Sequence, residues 1–155
     1  MPAQRLMEFL ADHHVKFVTI SHSAAFTAQE IAATAHVPGK QLAKTVVVKI
    51  DGKVALAVLS ALDMVSLERL KKATGAEMVE LASEEEFGDL FPGCEVGAMP
   101  PFGNLWDLNV FVDQRLREDE HIAFNAGSFT ELVQLSYSDF ESLVNPTVVR
   151  LSTGN

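Results

Sequence analysis

Residues 44–60 constrain the fold more than any other stretch of this chain. Lys44-Thr45-Val46-Val47-Val48-Lys49-Ile50 and Lys53-Val54-Ala55-Leu56-Ala57-Val58-Leu59-Ser60 are both apolar and strand-like, and only Asp51-Gly52 separates them. An Asp-Gly pair accepts the positive φ angles of a two-residue hairpin turn. The two runs are therefore expected as adjacent antiparallel strands. Lys44 stands between a helical segment and the first of these strands. A charge at the mouth of an apolar strand needs either solvent or a partner. It either snorkels to water or serves as the cation of a pocket that binds a carbonyl or phosphate oxygen.

The rest of the chain supplies helices and further strands. Leu6, Phe9 and Leu10 recur at helical spacing within residues 3–14. Residues 15–20 alternate and are rich in β-branched side chains, which predicts a strand. Thr27, with Glu30 three residues on, forms a capping-box pattern that opens a second helix. That helix is expected to end near His36, before Val37-Pro38-Gly39. A helix is predicted over 66–73 with Gly75 as its stop, and a short strand over 77–81. Another helix opens at Ser83, whose hydroxyl and following carboxylates suit a helix N-terminus. Strands are predicted at 109–113 and 121–125 as a hairpin with a long loop, then a strand at 131–135 and a helix at 137–143. The elements show no regular βαβ rhythm and no internal repeat. The expected fold is α+β: one domain, residues 1–151, with a curved, largely antiparallel sheet surrounded by helices. Residues 152–155 read as a tail.

Composition narrows the class. The chain has 155 residues, of which 48% are hydrophobic and 21% charged, enough for one domain with a real core and against disorder. The longest apolar runs are far short of the roughly 20 residues of a membrane span. The N-terminus is amphipathic rather than signal-like, so a cytoplasmic protein is expected. Cys94 is the single cysteine, which excludes an intramolecular disulfide and a cysteine-based zinc site. The formal net charge of −9 does not favour long-range steering of a nucleic acid. Any RNA contact would be local and built on a few lysines.

Two further segments and one histidine are candidates for chemistry. Gly97-Ala98-Met99-Pro100-Pro101-Phe102-Gly103-Asn104 combines stiff prolines with turning points. It is either a rigid connector from a helix to a strand or a preorganised wall that presents backbone N–H groups. Asn125-Ala126-Gly127-Ser128 closes a strand. It is either a tight turn or a place where small residues let a ligand approach the backbone. His22 is either a loop histidine or a pocket neighbour. No His pair shows the i, i+4 spacing of a hydrolytic zinc motif, and no phosphate-binding Gly-rich loop is present. Glu84, Glu85 and Glu86 occupy consecutive helix positions, which do not face one another. No metal or cofactor is expected.

Taken in order, His22, Phe26-Thr27-Ala28-Gln29-Glu30, Ala43-Lys44-Thr45, Gly97-Ala98-Met99-Pro100-Pro101-Phe102-Gly103 and Asn125-Ala126-Gly127 resemble the YbaK/prolyl-tRNA-editing family. The resemblance runs from about residue 5 to about residue 145. It implies the mixed α/β fold of that aminoacyl-tRNA-synthetase-associated domain. It also implies an aminoacyl-tRNA deacylase, which hydrolyses the ester between a wrong amino acid and the tRNA 3′ end. On this resemblance Lys44 matches the family's essential lysine, and Gly97 and Pro100 its Gly-x-x-x-Pro loop. His22, Thr27, Met99, Phe102, Gly103 and Asn125-Ala126-Gly127 match residues around the pocket. Several relatives carry a histidine just after the Asn-Ala-Gly segment, where this chain has Ser128-Phe129-Thr130, so Phe129 bears on amino-acid specificity. The implied partners are a mischarged tRNA acceptor end and a synthetase. A non-catalytic module that binds a small molecule or a partner in the same pocket is the alternative.

Overall fold

The computed structural model describes residues 3–22, 28–35 and 37–153. Among the described residues there are five α-helices: α1 (Gln4–Asp12), α2 (Ala28–Ala35), α3 (Leu67–Thr74), α4 (Glu84–Phe87) and α5 (Tyr137–Val144). They surround one mixed sheet of β1 (Phe17–Ser21), β2 (Leu42–Ile50), β3 (Lys53–Ser60), β4 (Val79–Leu81), β5 (Asn109–Asp113), β6 (His121–Ser128), β7 (Glu131–Ser136) and β8 (Thr147–Val149). The strand order is β1-β7-β6-β2-β3-β5-β8, with β4 on the second half of β2. Antiparallel pairs carry most of the register, and β2–β6, β3–β5 and β5–β8 are parallel.

The central hairpin is as the sequence predicts. Asp51 and Gly52 have φ of 51° and 82°, and the register runs from Ile50↔Lys53 to Ala43↔Ser60. The Asp51 carboxylate also accepts the N–H groups of Glu77 (3.0 Å) and Met78 (2.9 Å), which seats the start of β4 beside the turn.

Alternation along the strands sorts the side chains into two layers. Leu56 and Val58 of β3, Val47 of β2 and Ile122, Phe124 and Ala126 of β6 join the main core with α1 and α5. At its centre Phe102 meets Phe9, Phe124 and Phe140 at ring-centroid distances of 6.0, 5.5 and 5.7 Å. The intervening residues face the opposite layer. There Leu42 and Ala123 pack with Ile31 of α2, and Val48, Ala55, Ala57 and Leu59 pack with Leu70 of α3. The sheet is thus covered on both faces.

Four readings are corrected. Strands β5 and β6 are not a hairpin. β5 lies parallel to β3, and β6 lies on the other side of the β2–β3 pair. The link between them crosses that pair and is anchored by the fully buried Leu116. Lys44 does not precede its strand but is the third residue of β2. Asn125-Ala126-Gly127 is not a terminal turn. It is an irregularity inside β6, where the register shifts between Asn125 and Ser128 and Gly127 takes φ of 98°. Finally, Thr147–Val149 adds an eighth strand after Pro146, too short to show a period. The Thr27 capping box and the helix end at His36 lie outside the described residues. Ser152 bridges Val65, and the Thr153 N–H reaches the Met64 carbonyl at 2.8 Å. No helix among the described residues is long and apolar enough to cross a membrane.

Candidate functional site

Strand alternation and parallel pairing build the site. Lys44 shares the α2/α3 face with Leu42 and Val46, in the gap between the two apolar clusters of that face. The β2–β6 register ends at Ala43↔Phe124, so Lys44 and Asn125 come next on the two strands. Phe124 and Ala126 point into the main core, which turns Asn125 toward the Lys44 side. A cleft of about 160 Å³ opens there, lined by Ile31, Leu42, Ala43, Lys44, Ala61, Gly97, Asn125 and Phe129. Its walls are mostly apolar, with an ammonium, a side-chain amide and a glycine backbone as the polar points. Larger clefts lie elsewhere. One of about 470 Å³ between residues 104–111 and 144–147 holds none of these groups. Convergence of a few polar groups in a concave apolar setting, rather than size, marks the smaller cleft as the candidate site.

The Gly97 wall is laced to the β6 irregularity. The Glu95 N–H donates to the Gly127 carbonyl (2.7 Å), and the Gly127 N–H to the Ala98 carbonyl (2.9 Å). The Glu95 carboxylate accepts the Phe129 N–H at 2.8 Å. Gly97 has φ of 93°, and a Cβ placed on it would lie 3.3 Å from Phe129 Cζ. The backbone conformation favours glycine there, and the Phe129 ring would have to shift to admit a side chain. The Gly97 N–H points at the Met99 thioether sulfur at 3.1 Å, a weak acceptor, while the Ala98 N–H is closed onto the Glu95 carbonyl.

Lys44 is half-buried, and burial pulls its amine below the ordinary lysine value, countered in part by the charge of Asp63. It takes part in none of the ion pairs among the described residues. The Asn125 side-chain oxygen is buried without a hydrogen-bond partner among the described residues. Such an acceptor suits a ligand's N–H group, since leaving it unmet is costly.

Of the residues singled out in the sequence, Lys44, Gly97, Asn125 and Phe129 meet in this cleft. His22 follows β1 and donates its backbone N–H to the Thr130 carbonyl, next to Phe129. Thr27 lies outside the described residues. Met99, Pro100, Phe102, Gly103, Ala126 and Gly127 are buried and do not line the cleft. A Cβ on Gly103 would stand 2.6 Å from both the Leu108 carbonyl oxygen and Val110 Cγ2, so this glycine answers to packing. The sequence reading missed Ile31, Leu42, Ala43 and Ala61. Leu42 and Ala43 flank Lys44 and carry the strand period, but nothing local marks Ala61. Among the described residues no group of His, Cys, Asp and Glu side chains is placed to hold a metal ion.

Comparison with known proteins bears on the fold and the family. A region of proline--tRNA ligase from Bacillus mycoides (strain KBAB4) is 32% identical over 85 residues, covering 55% of this chain and 15% of the ligase. The ligase of Bacillus cytotoxicus is 35% identical over the same length and shares. The chain therefore corresponds to a small part of these relatives. Among solved structures, a candidate trans-editing enzyme for prolyl tRNA synthetase superposes with a TM-score of 0.84 at 22% identity, over 98% of this chain and 97% of that one. A candidate signal transduction protein from Marinobacter aquaeolei VT8 carries the same fold in 30% of its chain, with a TM-score of 0.75 at 19% identity. The model of the aminoacyl-tRNA editing domain matches residues 22–143, and this chain belongs to that family.

Proposed function

We propose that this chain is a trans-editing deacylase, which hydrolyses the ester of a tRNA mischarged elsewhere by means of a positioned water. The observation that carries the reading is the meeting of Lys44 and the Gly97 backbone on the walls of one cleft of about 160 Å³. An aminoacyl ester is already activated, so the site needs no covalent nucleophile. Holding water and ester together supplies much of the acceleration. The water oxygen bonds to the carbonyl carbon, the bond to the ribose oxygen breaks, and that oxygen leaves with a proton. Lys44 faces the ester or the terminal nucleotide, and its charge offsets the oxyanion. The Gly97 N–H, held only by a thioether sulfur, exchanges that weak acceptor for the oxyanion. The Asn125 oxygen accepts from the substrate's α-ammonium. The apolar wall of Ile31, Leu42, Ala43, Ala61 and Phe129 then sorts amino acids by volume. One methylene discriminates by only about 1–3 kcal/mol in binding, which is why a second, hydrolytic sieve is useful.

The test is release of amino acid from a panel of mischarged tRNAs at micromolar protein, with Lys44→Ala as control. The expected result is acceleration on at least one member and a loss of roughly 10²–10³-fold in the variant, the usual cost of an oxyanion partner. No acceleration on any member refutes the deacylase. Thermal stabilisation by an aminoacyl ligand without turnover supports a binding module instead.

A further inference from the structure

The Lys44 cleft, at about 160 Å³, is too small for a whole aminoacyl-nucleotide. Sites for drug-sized molecules run to roughly 300–1,000 Å³, so an aminoacyl group alone fills this one and the nucleotide that bears it rests outside. A second cleft, of about 410 Å³, adjoins it across the turn after β3. Ala61 lines the first cleft, while Ser60, Leu62 and Asp63 line the second. The turn is fixed by the Ala61 N–H, which donates to the Leu42 carbonyl at 2.7 Å, and by the Asp63 N–H, which donates to the Ser60 carbonyl at 3.0 Å.

The second cleft has buried acceptors and exposed cations. Asp63 is only 4% exposed, and the Asp119 side chain 9%. Arg115 donates to Asp63 Oδ1 at 3.0 Å, but Oδ2 is buried with no hydrogen-bond partner among the described residues. A desolvated carboxylate oxygen left unmet is costly, and an N–H or O–H group of a ligand would meet it. The Lys40 and Arg115 side chains are 71% and 47% exposed. Lys40 stands 3.7 Å from Asp119, beyond hydrogen-bond range. Arg115 keeps guanidinium donors besides the one on Asp63. Both cations can therefore serve a phosphate. The exposed Leu62 adds an apolar ledge for a base or sugar. Glu118 also lines the cleft, so carboxylates outnumber cations there, which suits one phosphate and no more.

We propose that this second cleft is the subsite for the terminal nucleotide of the acceptor end, with a ribose hydroxyl or the exocyclic amine donating to Asp63 and Asp119 and the phosphate lying toward Lys40 and Arg115. The inference rests on the editing reading and adds to it the place of the nucleotide. The aminoacyl group then passes the turn at Ala61 into the Lys44 cleft.

The test follows backbone amide shifts of the whole chain by NMR with two probes. One is AMP. The other is AMP whose 3′-hydroxyl is replaced by an alanylamide, which cannot be hydrolysed as an ester. AMP is expected to shift Ser60, Leu62, Arg115 and Asp119, and the amide analogue to shift these together with Gly97 and Phe129. Asp63→Asn is expected to weaken both probes by roughly 10-fold, the cost of a hydrogen bond to a charged group. Lys40→Ala, at an exposed side chain, is expected to flatten the slope of log affinity against log salt by about 0.7, one phosphate contact. Should Asp63→Asn not fold, Lys40→Ala decides. Shifts confined to the Lys44 cleft, or affinities unmoved in the variants, overturn the subsite. Tighter binding of AMP than of the amide analogue overturns it too, since the cleft would then serve a free nucleotide. Shifts in both clefts without deacylation of any mischarged tRNA would instead place the failure in the editing reading, because binding of these probes requires no hydrolysis.

Discussion

At the scale of single residues, the two glycines of the 97–103 loop separate site from scaffold. Both look alike in the sequence, yet their surroundings differ. A Cβ at Gly103 meets backbone and a β-branched methyl at 2.6 Å, neither of which can swing away. A Cβ at Gly97 meets the edge of the Phe129 ring at 3.3 Å, on a backbone with φ of 93°. Gly103→Ala is therefore expected to cost about 2–3 kcal/mol by overpacking, with activity per folded molecule largely kept. Gly97→Ala is expected to cost about 1–2 kcal/mol through φ strain and to lose most of its deacylation, because the Phe129 ring that lines the cleft must shift. Urea unfolding set beside turnover on the best panel substrate checks this. A Gly97→Ala variant with full activity would remove Phe129 and Gly97 from the site. Lys44 shows the same division: its type and its nearness to a strand are plain in the sequence, but its place as the third residue of β2 and the burial that depresses its proton affinity, in a cleft shared with Ile31 and Ala61, are not.

At the scale of elements, local chemistry explains most of the pieces. Ser83 and Glu86 close a reciprocal capping box at α4, and Ser66 and Ser136 cap α3 and α5. The α4 cap is joined to the sheet by Lys49 of β2, which pairs with Glu80 of β4 at 2.9 Å and with Glu86. These bonds pull the Glu86 carboxyl from 4.5 to about 2. The folded state thus prefers the ionised form, so its contribution is present above the unfolded value and is lost as pH falls from 4.5 toward about 2. Wild type and Glu86→Gln are expected to differ in urea midpoint above pH 5 and to converge as pH nears 2. A gap that stays constant across that range would assign the effect to packing. Where elements were misread, the cause was distance in the chain. A strand such as β5 carries the same alternation whether its partner is β6, next in sequence, or β3, some fifty residues back.

At the scale of the whole molecule, the charge of −9 bears on how the proposed tRNA substrate would be met. Lys40, Lys49, Lys72, Arg115 and Arg117 are each paired with a carboxylate. With 21 acidic against 12 basic residues, the surface offers no net attraction for a long run of phosphates, which suits a grip on the acceptor end alone. Each phosphate neutralised on a single strand contributes about −0.7 to the slope of log affinity against log salt. The slope of log kcat/KM against log salt is therefore expected to be no steeper than about −2. A slope near −5 would reveal an extended RNA interface.

The sequence by itself determined the class of fold, the central hairpin, the Ser83 cap and four members of the cleft. These depend on side-chain period, turn chemistry and motif order, all of which are local or ordered along the chain. Only the tertiary structure decided that β2 and β6 run parallel and bring Lys44 beside Asn125. It alone decided that Ala61 closes the cleft and that Met99, Phe102 and Gly103 belong to the core. Asp63, silent in the sequence, is buried against Arg115 beyond the turn after β3. Such contacts depend on which strand edges pair and which faces the helices cover, and no local pattern of residues encodes that choice.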